Sequence, residues 1–141
     1  EYFSYKGEFY DIPELKLCPA PTKPVPILIG GHSNLALKRA ARIGDGWISA
    51  GLTLDQIKDL INKINVYREE YETLDHPNYQ FQVMGEAAYS PEGIKELETL
   101  GATEVIVSFR NAYEGGVDER TLDGMIAEIN WYADEVINKS R

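Results

Sequence analysis

The chain has 141 residues, which suits one domain or part of one, since domains typically hold about 100–200 residues. Asp and Glu number 23 against 14 Lys and Arg, which gives a formal net charge of −9. A nucleic-acid-binding protein needs a dense basic surface to neutralise phosphates, so that class is disfavoured. Hydrophobic residues make up 43% of the chain, a share that permits a sizeable core and excludes disorder.

The sequence also bears on location. No apolar run approaches the roughly 20 residues that a membrane span needs. The single cysteine, Cys18, excludes a disulfide framework and suits a reducing, cytoplasmic compartment. It has no adjacent His or basic residue to activate its thiol, so we interpret it as inert. The chain begins at Glu1 without a Met or a signal peptide, and we expect it to be part of a longer polypeptide.

Residues 1–24 differ in composition from the rest and are interpreted as an arm. Aromatic residues flank Lys6-Gly7-Glu8, which predicts a short β-hairpin with Gly7 in the turn. These aromatics, which we expect to cover an apolar surface, are Tyr2, Phe3, Tyr5, Phe9 and Tyr10. The prolines that follow predict an extended segment without regular structure; they are Pro13, Pro19, Pro21 and Pro24.

Residues 25–141 show four strand–helix units in succession. The apolar run 25–29 predicts a strand buried on both faces, and Ser33 or Asn34 can cap the helix that follows and ends at Gly44. A second strand over 47–50 precedes a helix opened by the capping box of Thr53 and Gln56. The third strand is predicted over 79–88, and its helix begins at Ser90-Pro91. The fourth strand covers 105–107, and a loop with Gly115-Gly116 leads to the last helix.

Apolar periodicity assigns inward positions to these helices. In the first helix they are Leu35, Leu37, Ala40, Ala41 and Ile43, and in the last helix Leu122, Met125, Ile126, Ile129, Ala133 and Val136. Strands that alternate with helices imply parallel pairing and right-handed crossovers. Four such units fit a small open sheet or half of an eight-unit barrel, and the pattern alone leaves both open.

The turn after the first of these strands is the most informative segment. Gly30 and Gly31 let a ligand approach the backbone, and the following helix N-terminus carries a partial positive charge. Ser33 and Asn34 add side-chain donors, which together predict a phosphate-sized anion site. Residues 1–50 carry a net charge of +1 and residues 51–141 one of −10, so this turn lies in the less acidic part. The alternative is an ordinary strand–turn–helix connection in which Ser33 only caps the helix.

Residues 26–33 (PILIGGHS) and 40–47 (AARIGDGW) resemble the luciferase-like monooxygenase family. They are most similar to its branch of flavin- or deazaflavin-dependent oxidoreductases. Residues 5–10 (YKGEFY) and 17–21 (LCPAP) resemble the insertion before the fifth barrel strand, and 100–107 (LGATEVIV) the last strand. The resemblance implies that the chain is the C-terminal half of a TIM (β/α)8 barrel, with strands five to eight, preceded by the hairpin and proline-rich arm.

The resemblance also implies a cofactor. In relatives, the turn after this strand helps to hold the phosphate of FMN or of the deazaflavin coenzyme F-420. Carried over to this sequence, the holding residues are Gly30, Gly31, His32, Ser33 and Asn34. Trp47 and Ser49 end the next strand on the same rim, where they either flank the ribityl-phosphate end or, for Trp47, fill the barrel. His32 either contacts the anion or fills the turn.

Relatives keep much of their ring pocket, substrate contacts and catalytic residues in strands one to four, so we expect no catalytic residue here. No His, Cys or carboxylate cluster has metal-ligand spacing. His76, which precedes Pro77 in a loop, is interpreted as a surface residue. Arg110-Asn111 follow the last strand and either reach a ligand or face solvent.

The leading functional hypothesis is that the intact protein transfers hydride or electrons between its cofactor and a small organic substrate, as an oxidoreductase or monooxygenase. The isolated chain is then expected to be inactive. The alternative is a non-catalytic assembly module, because an open half-barrel exposes two sheet edges and an apolar inner face and should pair with a second copy or another half-barrel. A flavodoxin-like binding domain is disfavoured because the aromatic arm has no role in it.

Overall fold

The structure, a computed structural model, describes residues 2–110, 116 and 119–140. The predicted hairpin is confirmed: strand β1 (Phe3–Lys6) pairs antiparallel with β2 (Asp11–Leu15), and Gly7 N donates to Tyr10 O at 2.9 Å. The prediction that Pro13 forbids regular structure is wrong, because it lies within β2. A proline fits there since each strand of an isolated pair has one edge that needs no N–H donor.

The arm's aromatic side chains face solvent, so the expectation that they cover an apolar surface is wrong for the described part of the chain. Phe9 is 82% exposed and Tyr10 is 73% exposed. Tyr2, Phe3 and Tyr5 on and beside β1 are also exposed. A two-stranded hairpin has no core of its own, and such an apolar surface usually marks a contact with another part or partner.

Four parallel strands form the main sheet, as the alternating pattern predicts. They are β3 (Leu28–Gly30), β4 (Gly46–Ile48), β5 (Gln80–Val83) and β6 (Glu104–Val105), side by side in chain order. Each is shorter than its predicted range. The order never reverses within the described residues, unlike that of a doubly wound flavodoxin-like sheet, whose ligand site lies at such a reversal.

Helices follow the strands, and the first three begin where the sequence predicts. Helix α1 covers Asn34–Ile43 and α2 covers Leu54–Glu70, with both halves of the Thr53–Gln56 capping box present. A short 3-10 helix at Glu86–Tyr89 precedes α3 (Pro91–Thr99). The last helix runs as α4 (Leu122–Tyr132), a π-helical turn (Ala133–Ile137) and α5 (Asn138–Ser140). Gly115 of the preceding loop lies outside the described residues.

The core lies between one face of the sheet and the helices. Ile29, Trp47 and Phe81 are register partners on that face, and they pack with Leu37, Ala40, Ile57, Ile61, Ile64 and Leu97. Ile48, Gln82 and Glu104 lie on the opposite face because side chains alternate along a strand. Gln82 hydrogen-bonds Glu104 there. The predicted apolar inner face is therefore of mixed polarity.

Apolar side chains remain exposed at both ends of the row of β-α units. In α1, Leu35 is 81% and Ile43 is 63% exposed; in α4, Leu122 is 70% and Ile129 is 55% exposed. These four were predicted to point inward, and so was Ile126, which is 45% exposed. Ile27 and Val25 are exposed as well, so the first strand is not buried on both faces. The prediction fails at these positions because, in the described structure, no element packs beyond the first and last units.

Candidate cofactor site

The turn after β3 has a backbone that requires glycine. Gly31 adopts φ +109°, a conformation that L side chains rarely adopt, and a Cβ at this position would lie 3.0 Å from the Ala36 Cβ. Gly30 is exposed at the end of β3, where an added Cβ would meet only Ile48 Cγ2 at 3.6 Å. The two glycines therefore leave bare backbone at the carboxyl edge of the sheet, which is the edge where α/β proteins bind ligands.

The buried side chain of Trp47 supports this turn from within the core. Its indole Nε1 donates to Gly31 O at 2.9 Å, and its side chain is fully buried. The His32 ring packs edge-on against the indole at a centroid distance of 6.1 Å. Both rings thus make packing contacts, and Trp47 makes them in the core between the sheet and the helices. Direct contact of either residue with a cofactor stays a prediction.

The N-terminus of α1 follows immediately. Ser33 Oγ accepts from Ala36 N at 3.3 Å, so the predicted cap is present, and the first turn of α1 holds no acidic residue. Asn34, the first residue of the helix, is exposed. The first N–H groups of a helix have no intrahelical acceptor, and with the helix dipole they favour an anion at this end.

Ser49 joins the ends of the next two strands. Its side chain is 2% exposed, and its Oγ accepts from Met84 N at 3.0 Å. A further parallel bridge pairs Leu52 with Gly85, where an added Cβ would lie 2.4 Å from Leu52 O. Ser49 therefore links the β4 and β5 loops from a buried position. A contact between Ser49 and the ribityl chain of a cofactor stays a prediction.

A cavity of about 630 Å³ opens above these two loops. Its walls are mostly small or apolar, and they consist of Ala50, Gly51, Leu52, Thr53, Met84, Gly85, Glu86, Tyr89, Ser108 and Arg110. Ligand pockets commonly measure about 300–1,000 Å³, so this volume suits a small molecule. Arg110 lines the cavity and also donates to Gly116 O at 3.1 Å, while its neighbour Asn111 lies outside the described residues. Apart from Arg110, sequence reasoning missed the residues of this cavity, because they are scattered over three loops.

A polar cluster lies at the opposite edge of the sheet. His76 Nε2 lies 3.1 Å from Asp45 Oδ1, and Asp45 Oδ2 accepts from Ile27 N at 2.7 Å. The interpretation of His76 as a plain surface residue is therefore wrong: it is half-buried and tied to the start of β4. The Cζ atom of Arg68, a buried residue, lies 3.9 Å from the centroid of the Tyr79 ring, and the Arg68 guanidinium donates to Thr73 O and Leu74 O. These contacts lie at the edge away from the carboxyl ends of the strands, which are the ends where α/β proteins bind ligands.

Burial within this cluster changes two protonation equilibria. It raises the pKa of Tyr79 to about 12, against the opposing effect of the Arg68 guanidinium, and it lowers the pKa of Arg68. The Tyr79 hydroxyl is buried and has no hydrogen-bond partner among the described residues.

The free energy of unfolding is expected to fall by about 2 kcal/mol between pH 10 and pH 12 because of Tyr79. In this window the unfolded phenol has lost its proton, whereas the folded one keeps it, so rising pH favours unfolding. Chemical denaturation at several pH values measures the slope. Tyr79→Phe should reduce this slope and leave the part due to Tyr132, whose pKa burial also raises. Tyr2→Phe, at a side chain that is 69% exposed, is the matched control. An unchanged slope in Tyr79→Phe contradicts this assignment.

Among residues 2–110, 116 and 119–140, no group of three or more His, Cys, Asp or Glu side chains is placed to hold a metal ion. Within the same part of the chain, no helix combines the length and the apolar character needed to cross a bilayer.

Comparison with known proteins identifies the family of this chain. The sequence profile of the luciferase-like monooxygenases matches residues 1–105. The chain belongs to the luciferase-like monooxygenase family. Uncharacterized proteins Mb0965c of Mycobacterium bovis and Rv0940c of Mycobacterium tuberculosis are each 42% identical to it over 139 residues. These matches cover 99% of this chain and 47% of each relative. The chain thus spans about half the length of the curated relatives that it matches.

Membership agrees with the observed architecture. A parallel sheet built from successive β-α units is consistent with a fragment of the TIM-barrel type, and the family is one of flavin-type oxidoreductases. The matched segment includes the hairpin arm and the glycine turn, but it ends at β6. The last helix therefore lies beyond the family match.

Proposed function

We propose that this chain is the C-terminal half of a luciferase-like (β/α)8 barrel that binds a flavin or the deazaflavin coenzyme F-420. Within that barrel, residues 30–34 hold the phosphate end of the cofactor. The observation that carries the proposal is the bare backbone at Gly30 and Gly31, placed at the carboxyl edge of the sheet against the N-terminus of α1.

The residues of this turn suit a phosphate group. A phosphate needs several N–H or O–H donors and an approach without a side chain in the way, and the turn offers backbone N–H groups, exposed Ser33 and exposed Asn34. The first turn of α1 adds no negative charge. Trp47 acts indirectly, because its indole holds the Gly31 carbonyl and so fixes the direction in which the turn faces.

Three observations support the half-barrel. Among the described strands each new one adds on the same side, and β3 and β6 have no further described neighbour, so both are open edges. Exposed apolar side chains gather on α1 and α4, the helices at the two ends of the row. An eight-unit barrel needs about 250 residues, and the chain covers 47% of its relatives. A second half that supplies four more β-α units would pair both edges and cover both helices.

The bound cofactor supplies the redox chemistry, that is, hydride or electron transfer with a small organic substrate. This chain's own contribution is to bind and orient the cofactor. Residues 30–34 fix the phosphate, and the cavity above the β4 and β5 loops leaves space at the same edge of the sheet. The groups that act on the substrate are assigned to the other half of the barrel.

One observation favours the assembly module as a second candidate. The open edges of β3 and β6 and the apolar residues beside them would also be covered by a second copy of the same chain. Sedimentation of the purified chain separates the two: a stable dimer favours the module, whereas a monomer that associates only with the other half of a relative favours the barrel.

The proposed function is tested by joining this chain to the unmatched half of the Mycobacterium tuberculosis relative. The joined protein is expected to bind FMN or coenzyme F-420, detected by a change in cofactor fluorescence, with a dissociation constant in the micromolar range or below. A folded joined protein that binds neither cofactor contradicts the proposal.

A further inference from the structure

One side chain holds the backbone of the cavity wall at Ser108. Strand β6 covers only Glu104–Val105, and one more ladder bond follows it, from Ile106 N to Val83 O at 2.8 Å. Beyond that point Tyr89 takes over: its hydroxyl donates to Ser108 O at 2.7 Å and accepts from Ser108 N at 2.9 Å. A single phenol thus binds both backbone groups of Ser108, a residue that lines the cavity together with Arg110.

The phenol itself is held by a rigid support. Tyr89 ends the 3-10 helix that begins at Glu86, and positions three apart share one face of such a helix. Both residues accordingly line the cavity. The Tyr89 ring packs edge-on against Tyr132 at a centroid distance of 6.2 Å, and the Tyr132 hydroxyl donates to Ala88 O at 2.9 Å. The ring therefore stays in place if its hydroxyl is removed.

We propose that Tyr89 is a positioning residue for ligand binding at this edge, because its hydroxyl fixes Ser108 and so sets the wall of the cavity. The inference rests on the proposed function for the presence of a cofactor here. It adds a residue outside the phosphate turn, on the third of the four strand–helix connections. The ligand class that fits is a molecule with an apolar ring or chain, since Ala50, Leu52 and Met84 also line the cavity.

Hydrogen exchange of the chain without ligand tests the first step. In Tyr89→Phe the amide of Ser108 is expected to exchange about tenfold faster, because its only described acceptor is gone. Tyr79→Phe is the control: it also removes the hydroxyl of a buried tyrosine, but at the opposite edge of the sheet, and it should change the Ser108 rate by less than about twofold. An unchanged Ser108 rate in Tyr89→Phe overturns the proposal.

FMN titration of the joined protein tests the second step. Tyr89→Phe is expected to raise the dissociation constant of FMN about fivefold, because the wall must be ordered on binding, while Tyr79→Phe leaves it unchanged. Faster exchange with an unaltered FMN affinity shows a purely structural bond and overturns the positioning role. If wild-type joined protein binds neither cofactor, the proposed function fails and the ligand-binding part of this proposal fails with it, whereas the exchange rates still report on Ser108.

Discussion

Gly93→Ala is expected to lower the free energy of unfolding by about 3 kcal/mol. Gly93 lies in the first turn of α3 and is buried against the 3-10 helix, where an added Cβ would sit 2.1 Å from Ala87 O and 2.9 Å from Ala87 Cα. Both atoms belong to backbone, so relief requires that a whole segment move. Urea denaturation followed by circular dichroism measures the change.

Gly124→Ala provides a matched control for this prediction. Gly124 holds the same position in α4: Thr121 Oγ1 accepts from its N–H, as Ser90 Oγ accepts from that of Gly93. Its surroundings differ, because an added Cβ meets only Thr121 Oγ1 at 3.3 Å. The control should stay within about 1 kcal/mol of the wild type, since alanine's better helix propensity offsets the close contact. Equal losses in the two variants would contradict the packing argument.

Trp47→Phe is expected to lower the free energy of unfolding by about 2–3 kcal/mol. The indole is fully buried, so a smaller ring leaves a void in the core, and the bond from Nε1 to Gly31 O is lost. We also expect FMN binding by the joined protein to weaken, because the turn no longer has its fixed direction. Thermal denaturation and FMN titration measure the two effects.

Trp131→Phe is the control for this variant, since Trp131 is 50% exposed and should cost less than about 0.5 kcal/mol. A Trp47→Phe protein that is destabilised but binds FMN as well as the wild type would show that Trp47 only fills the core. A Trp47→Phe protein as stable as the wild type would contradict the described packing itself.

Local signals predicted the element order well. The caps at Ser33, Thr53 and Ser90 act through atoms within three residues in the chain, so the sequence alone indicates where these helices begin. The glycine turn was predictable for the same reason. Strand ends were less predictable, because the length of a strand depends on its pairing with neighbouring strands as well as on its own residues.

Exposure at the ends of the row could not be predicted from periodicity. Leu35 in α1 and Leu122 in α4 carry the pattern of inward-facing residues, yet both are exposed because no described element packs beyond them. The pattern fits the proposed half-barrel, in which a second half would cover both helices. The bond between His76 and Asp45 was missed because the two residues lie 31 positions apart. The Tyr89–Ser108 pair was missed for the same reason, at a separation of 19.

The central claim is that residues 30–34 hold a cofactor's phosphate, and comparing FMN with riboflavin tests it most directly because only FMN carries that group. The joined protein should bind FMN at least about tenfold more tightly than riboflavin, and Gly31→Ala should reduce this ratio to nearly one while riboflavin still binds. Retained riboflavin binding shows that the variant is folded. Equal affinities for FMN and riboflavin in the wild-type joined protein would contradict the claim.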